Sequence, residues 1–230
     1  MTGPIYAPKG HAKPYARWAL NPYRTCPERC PYCYNAVRNP AFFSDTPLIL
    51  RGSAERLLAE LEKQCAAWVG EKWPVHMTFL GDCYQPDEAE LKLTRRCIET
   101  LHQYDFPVQI LTKARELPAR DFDLLTREGD KFGITLVEPD PRIDILQRAD
   151  ALGIPIWLSL EPVVALGPAI EVLRDIDNLA LPVDPLWIGP LNHHACDYDW
   201  PTVKTRLKAE SESLGLAVQF KDDATEEMQP

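Results

Sequence analysis

The chain has 230 residues, of which 45% are hydrophobic and 26% are charged, so its length and composition predict one soluble globular domain. It carries 25 Lys and Arg residues against 34 Asp and Glu residues, and the net charge of −9 argues against a surface that coats nucleic acid. The longest apolar stretch, 153–170, contains Pro155, Glu161, Pro162 and Pro168, which excludes a membrane span there.

Short β-rich runs alternate with amphipathic helical patterns along the chain. Strands are predicted at 18–21, 75–80, 108–111, 132–137, 154–160 and 186–189, with a further candidate at 216–220. The intervening helices are predicted at 53–68, 87–101, 121–127, 140–153, 168–176 and 201–214. Their start signals are an N-cap at Ser53, a capping box at Asp87 and Glu90, and a cap with a first-turn proline at Asp140 and Pro141.

Strand-then-helix alternation specifies a parallel sheet with helical crossovers. Six such units fall short of the eight that close a barrel. The sequence therefore predicts an α/β fold, an open partial (β/α)6 TIM-like barrel with a parallel sheet. We expect a single domain over residues 1–230, with an N-terminal arm at 1–16, the partial barrel at 17–221 and a tail at 222–230.

The cysteine count indicates a reducing compartment. There are seven cysteines, an odd number, and the first residues lack the apolar core of a signal peptide. Both observations favour reduced thiols and metal ligation over a disulfide framework, so we expect a cytoplasmic protein.

Three of these cysteines, Cys26, Cys30 and Cys33, follow one another with the spacing C-x3-C-x2-C. Three thiolates on one loop can hold three irons of a cubane cluster and leave the fourth iron open to a substrate or cosubstrate. That open position predicts an enzyme. A zinc site completed by His11 or His76 is the alternative.

The cysteine loop carries a family resemblance. The run Cys26 to Cys33, with Tyr32 before the last cysteine, resembles the signature of the radical S-adenosylmethionine (radical SAM) superfamily. Segments 17–26 and 33–36 are similar to the branch around spore photoproduct lyase. Segments 81–88 and 111–114 resemble the second and third strand ends of that branch. The segments 186–189, 199–200 and 218–221 resemble phage-encoded radical SAM proteins of unassigned function.

This resemblance implies two cofactors, a 4Fe-4S cluster on the three cysteines and S-adenosylmethionine. One electron would cleave S-adenosylmethionine to methionine and a 5′-deoxyadenosyl radical, which abstracts hydrogen from a substrate. The electron would come from a low-potential donor such as flavodoxin or ferredoxin. A nucleic-acid base is the leading substrate by family analogy, and a peptide or small metabolite is the alternative.

Polar residues at predicted strand ends are the candidates for cofactor binding, because functional groups of parallel α/β folds gather at that edge. The resemblance places Tyr32 near the adenine, and Gly81 and Asp82 where many members have a Gly-Gly-Glu run that holds the methionyl amine. Lys113 would meet the methionyl carboxylate. Further candidates, the first two for the ribose, are Thr135, Glu138 and Glu161. Each could instead be a cap or a turn residue.

Two cysteine–tyrosine pairs are candidates for returning a hydrogen atom, by analogy with the cysteine and tyrosines of spore photoproduct lyase. They are Cys83 with Tyr84 and Cys196 with Tyr198. Cys65 and Cys97 lie on helical apolar stripes and are expected in the core.

A second group near the C-terminus resembles a set of metal ligands: His193, His194, Cys196 and Asp197. Substrate contacts or plain loop residues are the alternative interpretation of this group.

Residues 1–38 are basic, although the whole chain is acidic. The segment contains one acid, Glu28, and six basic residues: Lys9, Lys13, Arg17, Arg24, Arg29 and Arg38. This excess surrounds the cysteine loop in the sequence, where a phosphate-bearing substrate would approach, although a flexible, solvated arm explains it equally well.

Two non-enzymatic functions remain open. A zinc-stabilised nucleic-acid-binding module would need no catalysis. A one-electron carrier would need a fourth cluster ligand, from Cys83 or Cys196.

Overall fold

The fold is an open, curled parallel sheet with helices on its outer side. A computed structural model describes residues 3–192 and 194–222. Its seven strands are paired in sequence order, each parallel to the next. They are β1 (Trp18–Ala19), β2 (Val75–Met77), β3 (Val108–Thr112), β4 (Lys131–Leu136), β5 (Ile156–Val163), β6 (Leu186–Pro190) and β7 (Val218–Phe220). The predicted α/β partial barrel is confirmed, and 216–220 supplies a seventh strand.

Within the described part of the chain, seven α-helices connect or follow the strands. They are α1 (Tyr34–Arg38), α2 (Ala54–Ala66), α3 (Glu88–Leu91), α4 (Leu93–Gln103), α5 (Ile143–Ala151), α6 (Leu166–Asn178) and α7 (Trp200–Ser213). The main core lies between the sheet and these helices, where residues such as Leu61, Ile98, Ile110 and Leu146 are fully buried. None of the described helices is both long and apolar enough to cross a membrane.

The N-terminal segment fills the other, concave face of the sheet. Tyr6 and Ala19 exchange two backbone hydrogen bonds of 3.0 and 2.9 Å, so the chain at Tyr6 lies antiparallel beside β1. Tyr15 then packs against Trp157 and Trp187 in a second buried cluster. The Gln109 side chain, at the start of β3, donates to the Tyr15 carbonyl (3.4 Å). Ile5 is buried in the main core and Tyr15 in the second cluster, so the interpretation as a solvated arm is wrong for these residues. Lys9 and Lys13 are exposed between them.

The helix after β2 begins differently from the prediction. Asp87 has helical backbone angles and makes no capping hydrogen bond, so the capping box is wrong. The single helix predicted at 87–101 is divided into α3 and α4 at Lys92, whose φ is 48°. The buried carboxylate of Glu88 accepts from the Thr94 N–H (2.8 Å) and thereby satisfies a donor in the first turn of α4.

The predicted helix at 121–127 is replaced by a 3-10 helix, Leu117–Asp121, followed by turns. Arg120 and Arg95 both donate to the Asp121 carboxylate, at 2.7 and 3.2 Å. Asp121 is fully buried, so these ion pairs fix the segment in place of a regular helix.

Gly133 on β4 tests the packing of the concave face. A Cβ atom there would lie 2.5 Å from Nε1 of Trp157, which donates to the Ile110 carbonyl (2.8 Å). Gly133→Ala should lower the free energy of unfolding by about 1–3 kcal/mol, because the buried indole must shift. Urea unfolding measures this. Gly167→Ala is the control, since its Cβ meets nothing within 4 Å; equal stabilities of the two variants would contradict the packing.

Candidate active site

The cysteine loop leaves the carboxyl end of β1 and is attached at both ends to the turn after β2. At its entry the side-chain oxygen of Asn21 accepts from the N–H groups of Phe79 and Leu80, both at 2.9 Å. At its exit Tyr34 and Asn35 donate to the Phe79 carbonyl, the latter at 3.1 Å. One turn therefore positions the whole loop.

The three loop cysteines are free thiols. Cys26 is buried, and Cys30 and Cys33 are half-buried and joined by a turn in which the Cys33 N–H donates to the Cys30 carbonyl (3.1 Å). Burial raises the pKa of the Cys26 thiol to about 11, against the opposing effect of the Glu28 and Asp82 backbone N–H groups directed at its sulfur.

A cation and a phenol face Cys30. Burial raises the pKa of the Cys30 thiol, while the Lys113 ammonium and the Tyr32 hydroxyl act to lower it. The Lys113 Nζ lies 5.2 Å from the centre of the Tyr32 ring. Burial lowers the pKa of Lys113, and the neighbouring Arg142 lowers it further. The structure thus brings Cys30, Tyr32 and Lys113 together, as the sequence predicted for a shared site.

These groups line a cavity of about 490 Å³. Its walls come from the cysteine loop, the turn after β2 and the ends of β3 and β4: Glu28, Cys30, Tyr32, Tyr84, Pro86, Lys113, Ala114, Arg115, Glu116, Leu117, Asp140 and Arg142. The space lies against one of the three thiols and is rich in charged side chains.

Sequence reasoning missed two further cations in this cavity, Arg115 and Arg142. The Arg142 guanidinium donates to the Lys113 carbonyl (2.8 Å) and pairs with the Asp140 carboxylate (3.0 Å). Asp140 also accepts from the Arg142 N–H (2.8 Å), in a turn before α5. The helix begins only at Ile143, with Arg142 at its N-cap, so the predicted cap at Asp140 with Pro141 in the first helical turn is wrong. The sequence signal that could have identified Arg142 is a basic residue two positions after Asp140, in the segment that follows β4.

Asp82 has a different environment from the one expected of a cofactor ligand. Its carboxylate accepts from the Tyr84 N–H (2.8 Å), the Thr112 hydroxyl (2.6 Å) and the Lys113 N–H (2.6 Å). The side chain is buried and joins the ends of β2 and β3.

Gly81 lies directly against the cysteine loop. Its φ is +54°, and a Cβ atom there would be 2.6 Å from the Thr25 carbonyl oxygen. Glycine is therefore required by both the left-handed backbone and the close approach. The loop could not sit at this distance over any other residue.

Glu161 is engaged by the two ends of the chain. Lys221 donates to both of its oxygens, at 2.8 and 2.7 Å, and the Tyr15 hydroxyl donates to one of them (2.5 Å). Tyr15 also shares a hydrogen bond of 2.8 Å with Ser159. The predicted contact of Glu161 with a cofactor would compete with these partners and stays a prediction.

The two ribose candidates lie on and after β4. Thr135 is buried and pairs in register with Ser159 of β5, so its side chain is on the concave face. Glu138 follows the strand, is exposed, and is close enough to raise the pKa of Tyr32. Both lie at the expected sheet edge, and their roles stay predictions.

The cysteine–tyrosine pairs are held by structural contacts. Cys83 is fully buried in the main core, with its sulfur directed at the Met77 and Leu111 carbonyls (3.7 and 3.9 Å). Tyr198 donates to the Val163 carbonyl (2.6 Å) and accepts from the Leu191 N–H (3.1 Å). Cys196 is exposed, whereas Tyr84 is buried with its hydroxyl bonded to Asp121. Neither pair gains support as a hydrogen-atom donor from these contacts.

Single-metal alternatives gain no support either. Within residues 3–192 and 194–222, no three His, Cys, Asp or Glu side chains lie close enough to hold one metal ion. His76 is fully buried and stacks on Phe79 with 4.2 Å between ring centres. His193, one member of the expected second group, lies outside the described residues.

The basic segment is divided between the two edges of the sheet. Arg17 immediately precedes β1 and stacks on Trp73, with its guanidinium 4.0 Å from the ring centre, at the amino-terminal edge. Arg24 and Arg38 are exposed around the cysteine loop. The expectation that the whole excess surrounds that loop is therefore wrong.

Comparison with known proteins identifies the family. The family model of the radical SAM superfamily matches residues 20–156. The chain belongs to this superfamily. Membership implies an enzyme that uses a 4Fe-4S cluster and S-adenosylmethionine. No curated protein matches the chain.

Solved radical SAM structures share the fold. Spore photoproduct lyase complexed with dinucleoside spore photoproduct superposes with a TM-score of 0.70 at 12% identity, over 94% of this chain and 79% of that one. Native anSMEcpe with bound AdoMet superposes with a TM-score of 0.57 at 14% identity, over 88% and 63% of the two chains. At these identities the likeness establishes the architecture alone.

The donor set of the loop fits a radical SAM cluster. Three thiols lie on one loop, and the N–H groups directed at Cys26 are of the kind that tunes cluster potentials. A 4Fe-4S cubane takes one thiolate at each of three irons, so three cysteines on one loop match its need for protein ligands.

The ion pair between Lys221 and Glu161 can be tested by substitution. Lys221→Met should lower the free energy of unfolding by about 3–5 kcal/mol, because it leaves the Glu161 carboxylate buried without its cation. The two side chains are only 10% and 15% exposed. The double variant Glu161→Gln/Lys221→Met should recover most of that loss in urea unfolding. A double variant no more stable than Lys221→Met would contradict the pairing.

Proposed function

We propose that this radical SAM enzyme holds its cluster on Cys26, Cys30 and Cys33 and acts on a nucleic-acid base. The observation that carries the first part is the cavity in which Cys30 faces Tyr32, Lys113 and Arg142. When bound, the cluster and S-adenosylmethionine supply one-electron cleavage of a carbon–sulfur bond and a carbon radical that takes hydrogen from the substrate.

The chain's own groups would bind and orient the cosubstrate. Lys113 and Arg142 offer two cations beside Cys30 for the methionyl carboxylate. Arg142 is itself fixed by Asp140 and by the Lys113 carbonyl, so its position is set before binding. The Tyr32 ring offers an apolar face at the same wall. Thr135 and Glu161 lie at the next strand ends, toward the interior of the sheet.

The electron donor would approach the cysteine loop from outside. Cys30 and Cys33 are only half-buried, so the cluster site lies close to solvent. A low-potential protein such as flavodoxin or ferredoxin fits this requirement, since the described cysteines offer no second cluster site.

The substrate assignment draws on the solved relative. Spore photoproduct lyase was solved with a dinucleoside spore photoproduct, and its fold covers 94% of this chain. In this chain, Arg24 and Arg38 are exposed cations on either side of the three cysteines. They would meet phosphates flanking a base that enters the site, without coating a long stretch of nucleic acid.

Replacing any one loop cysteine tests the cluster assignment. Cys26→Ala, Cys30→Ala and Cys33→Ala should each lose the iron–sulfur absorbance and form no 5′-deoxyadenosine, because a three-thiolate site has no spare ligand. Iron content and nucleoside product are measured after anaerobic reconstitution. The exposed Cys196→Ala is the matched control and should keep the iron. Normal 5′-deoxyadenosine formation by a loop variant would contradict the assignment.

Charge reversal at two edges of the sheet tests the substrate. Arg24→Glu/Arg38→Glu should weaken binding of a short DNA. It should also make the slope of log K against log salt concentration shallower by about one for each lost phosphate contact. Arg17→Glu/Lys72→Glu makes the same charge change at the opposite edge, just before β1 and β2, and should bind normally. Fluorescence anisotropy over a salt series measures both. Equal effects of the two variants would refute a nucleic-acid site at the loop, and no DNA binding by the unaltered protein would favour a peptide or metabolite.

A further inference from the structure

Asp82 stands where the family resemblance places a residue that holds the methionyl amine, yet its carboxylate already has three protein donors. Oδ1 accepts from the Tyr84 N–H and the Thr112 hydroxyl, and Oδ2 accepts from the Lys113 N–H. All three distances lie between 2.6 and 2.8 Å, and the residue is 9% exposed. Charge-assisted bonds of this length are among the strong ones, so a ligand ammonium would have to compete with them.

The backbone of Asp82 faces the cluster loop. The preceding Gly81 packs against the Thr25 carbonyl, where a Cβ atom would lie 2.6 Å from the oxygen. The same carbonyl accepts from the side-chain amide of Gln85 (2.7 Å). The turn around Asp82 therefore holds Thr25, the residue before Cys26.

One residue thus touches both halves of the site. Through the adjacent Gly81 it contacts the residue before Cys26 on the loop after β1, and through its carboxylate it fixes the backbone of Lys113 at the end of β3. The side chain of Lys113 extends from that backbone to Cys30 and Tyr32.

We propose that Asp82 is a positioning residue that sets the distance between the cluster ligand Cys26 and the cosubstrate-binding Lys113, and that it does not bind the methionyl ammonium. The inference rests on the proposed function. It changes the role of this position from a contact with the cosubstrate to a brace between two strand ends.

The length of the side chain decides between the two roles. A glutamate is the residue that many family members carry in the corresponding run. If the carboxylate bound the cosubstrate directly, Asp82→Glu would bind S-adenosylmethionine at least as well as the unaltered chain. If the carboxylate braces β2 against β3, the extra methylene displaces three short buried bonds and Asp82→Glu should bind it at least tenfold more weakly.

The brace can also be measured in metal-free protein. Asp82→Asn keeps the size of the side chain but replaces one acceptor oxygen by an NH2 group. This group cannot accept a hydrogen bond, so the three donors now share one acceptor oxygen. Hydrogen exchange at the Lys113 amide should then be at least tenfold faster than in the unaltered protein. Asp87→Asn makes the same change nearby, at a side chain without a capping bond, and should leave that exchange unchanged.

The reconstituted variants complete the test. Asp82→Asn and Asp82→Glu should alter the electron paramagnetic resonance spectrum of the reduced cluster before S-adenosylmethionine is added, because Cys26 moves. The proposal would be overturned, in favour of direct contact, by the following combination. Hydrogen exchange at the Lys113 amide and the spectrum without S-adenosylmethionine would be unchanged, and only Asp82→Asn would bind S-adenosylmethionine more weakly. Failure of the cluster assignment itself would appear separately, as iron retained in the loop-cysteine variants.

Discussion

The site depends on the attachment of the cysteine loop to a single turn, residues 78–85. Asn21 binds the turn where the loop begins, Gln85 reaches the loop in its middle, and Tyr34 with Asn35 binds the turn where the loop ends. Ordering a loop of this kind costs about 1–2 kcal/mol per residue in backbone entropy. The hydrogen bonds from this one short element offset part of that cost, so the position of the loop depends on the position of β2.

A buried carboxylate near this turn also holds the cysteine loop. Glu88 is fully buried and accepts from the Tyr23 hydroxyl, the Thr94 N–H and the Arg120 guanidinium. Tyr23 lies in the cysteine loop, three residues before Cys26. Burial raises the pKa of Glu88, and all three donors oppose that rise. The carboxylate is thus part of the framework of the loop as well as the cap of α4, which explains why the helix breaks at Lys92.

The sequence allowed the architecture to be predicted because strand and helix periods alternate with clear stops, such as Gly153 before β5 and Gly215 before β7. It also located Lys113 and Tyr32 near the cysteines, since strand ends converge on one edge. It did not predict Arg142, whose place depends on a hydrogen bond to a carbonyl on another strand. Nor could it show that the Asp82 carboxylate would be saturated, because donors at 112 and 113 become neighbours only through sheet pairing.

The concave face of the sheet includes residues outside the stretch that matches the family model, 20–156. Glu161 on β5 is nearly buried, and its strand neighbours Ser159 and Val163 carry no charge to balance it. The balance comes from Lys221, directly after β7, and from Tyr15 in the N-terminal segment. Gly189 on β6 permits this approach, because a Cβ atom there would lie 2.9 Å from the Glu161 carboxyl carbon. Tyr15 and Lys221 are therefore both tied to β5, and the negative charge on this part of the concave face is paired before any ligand binds.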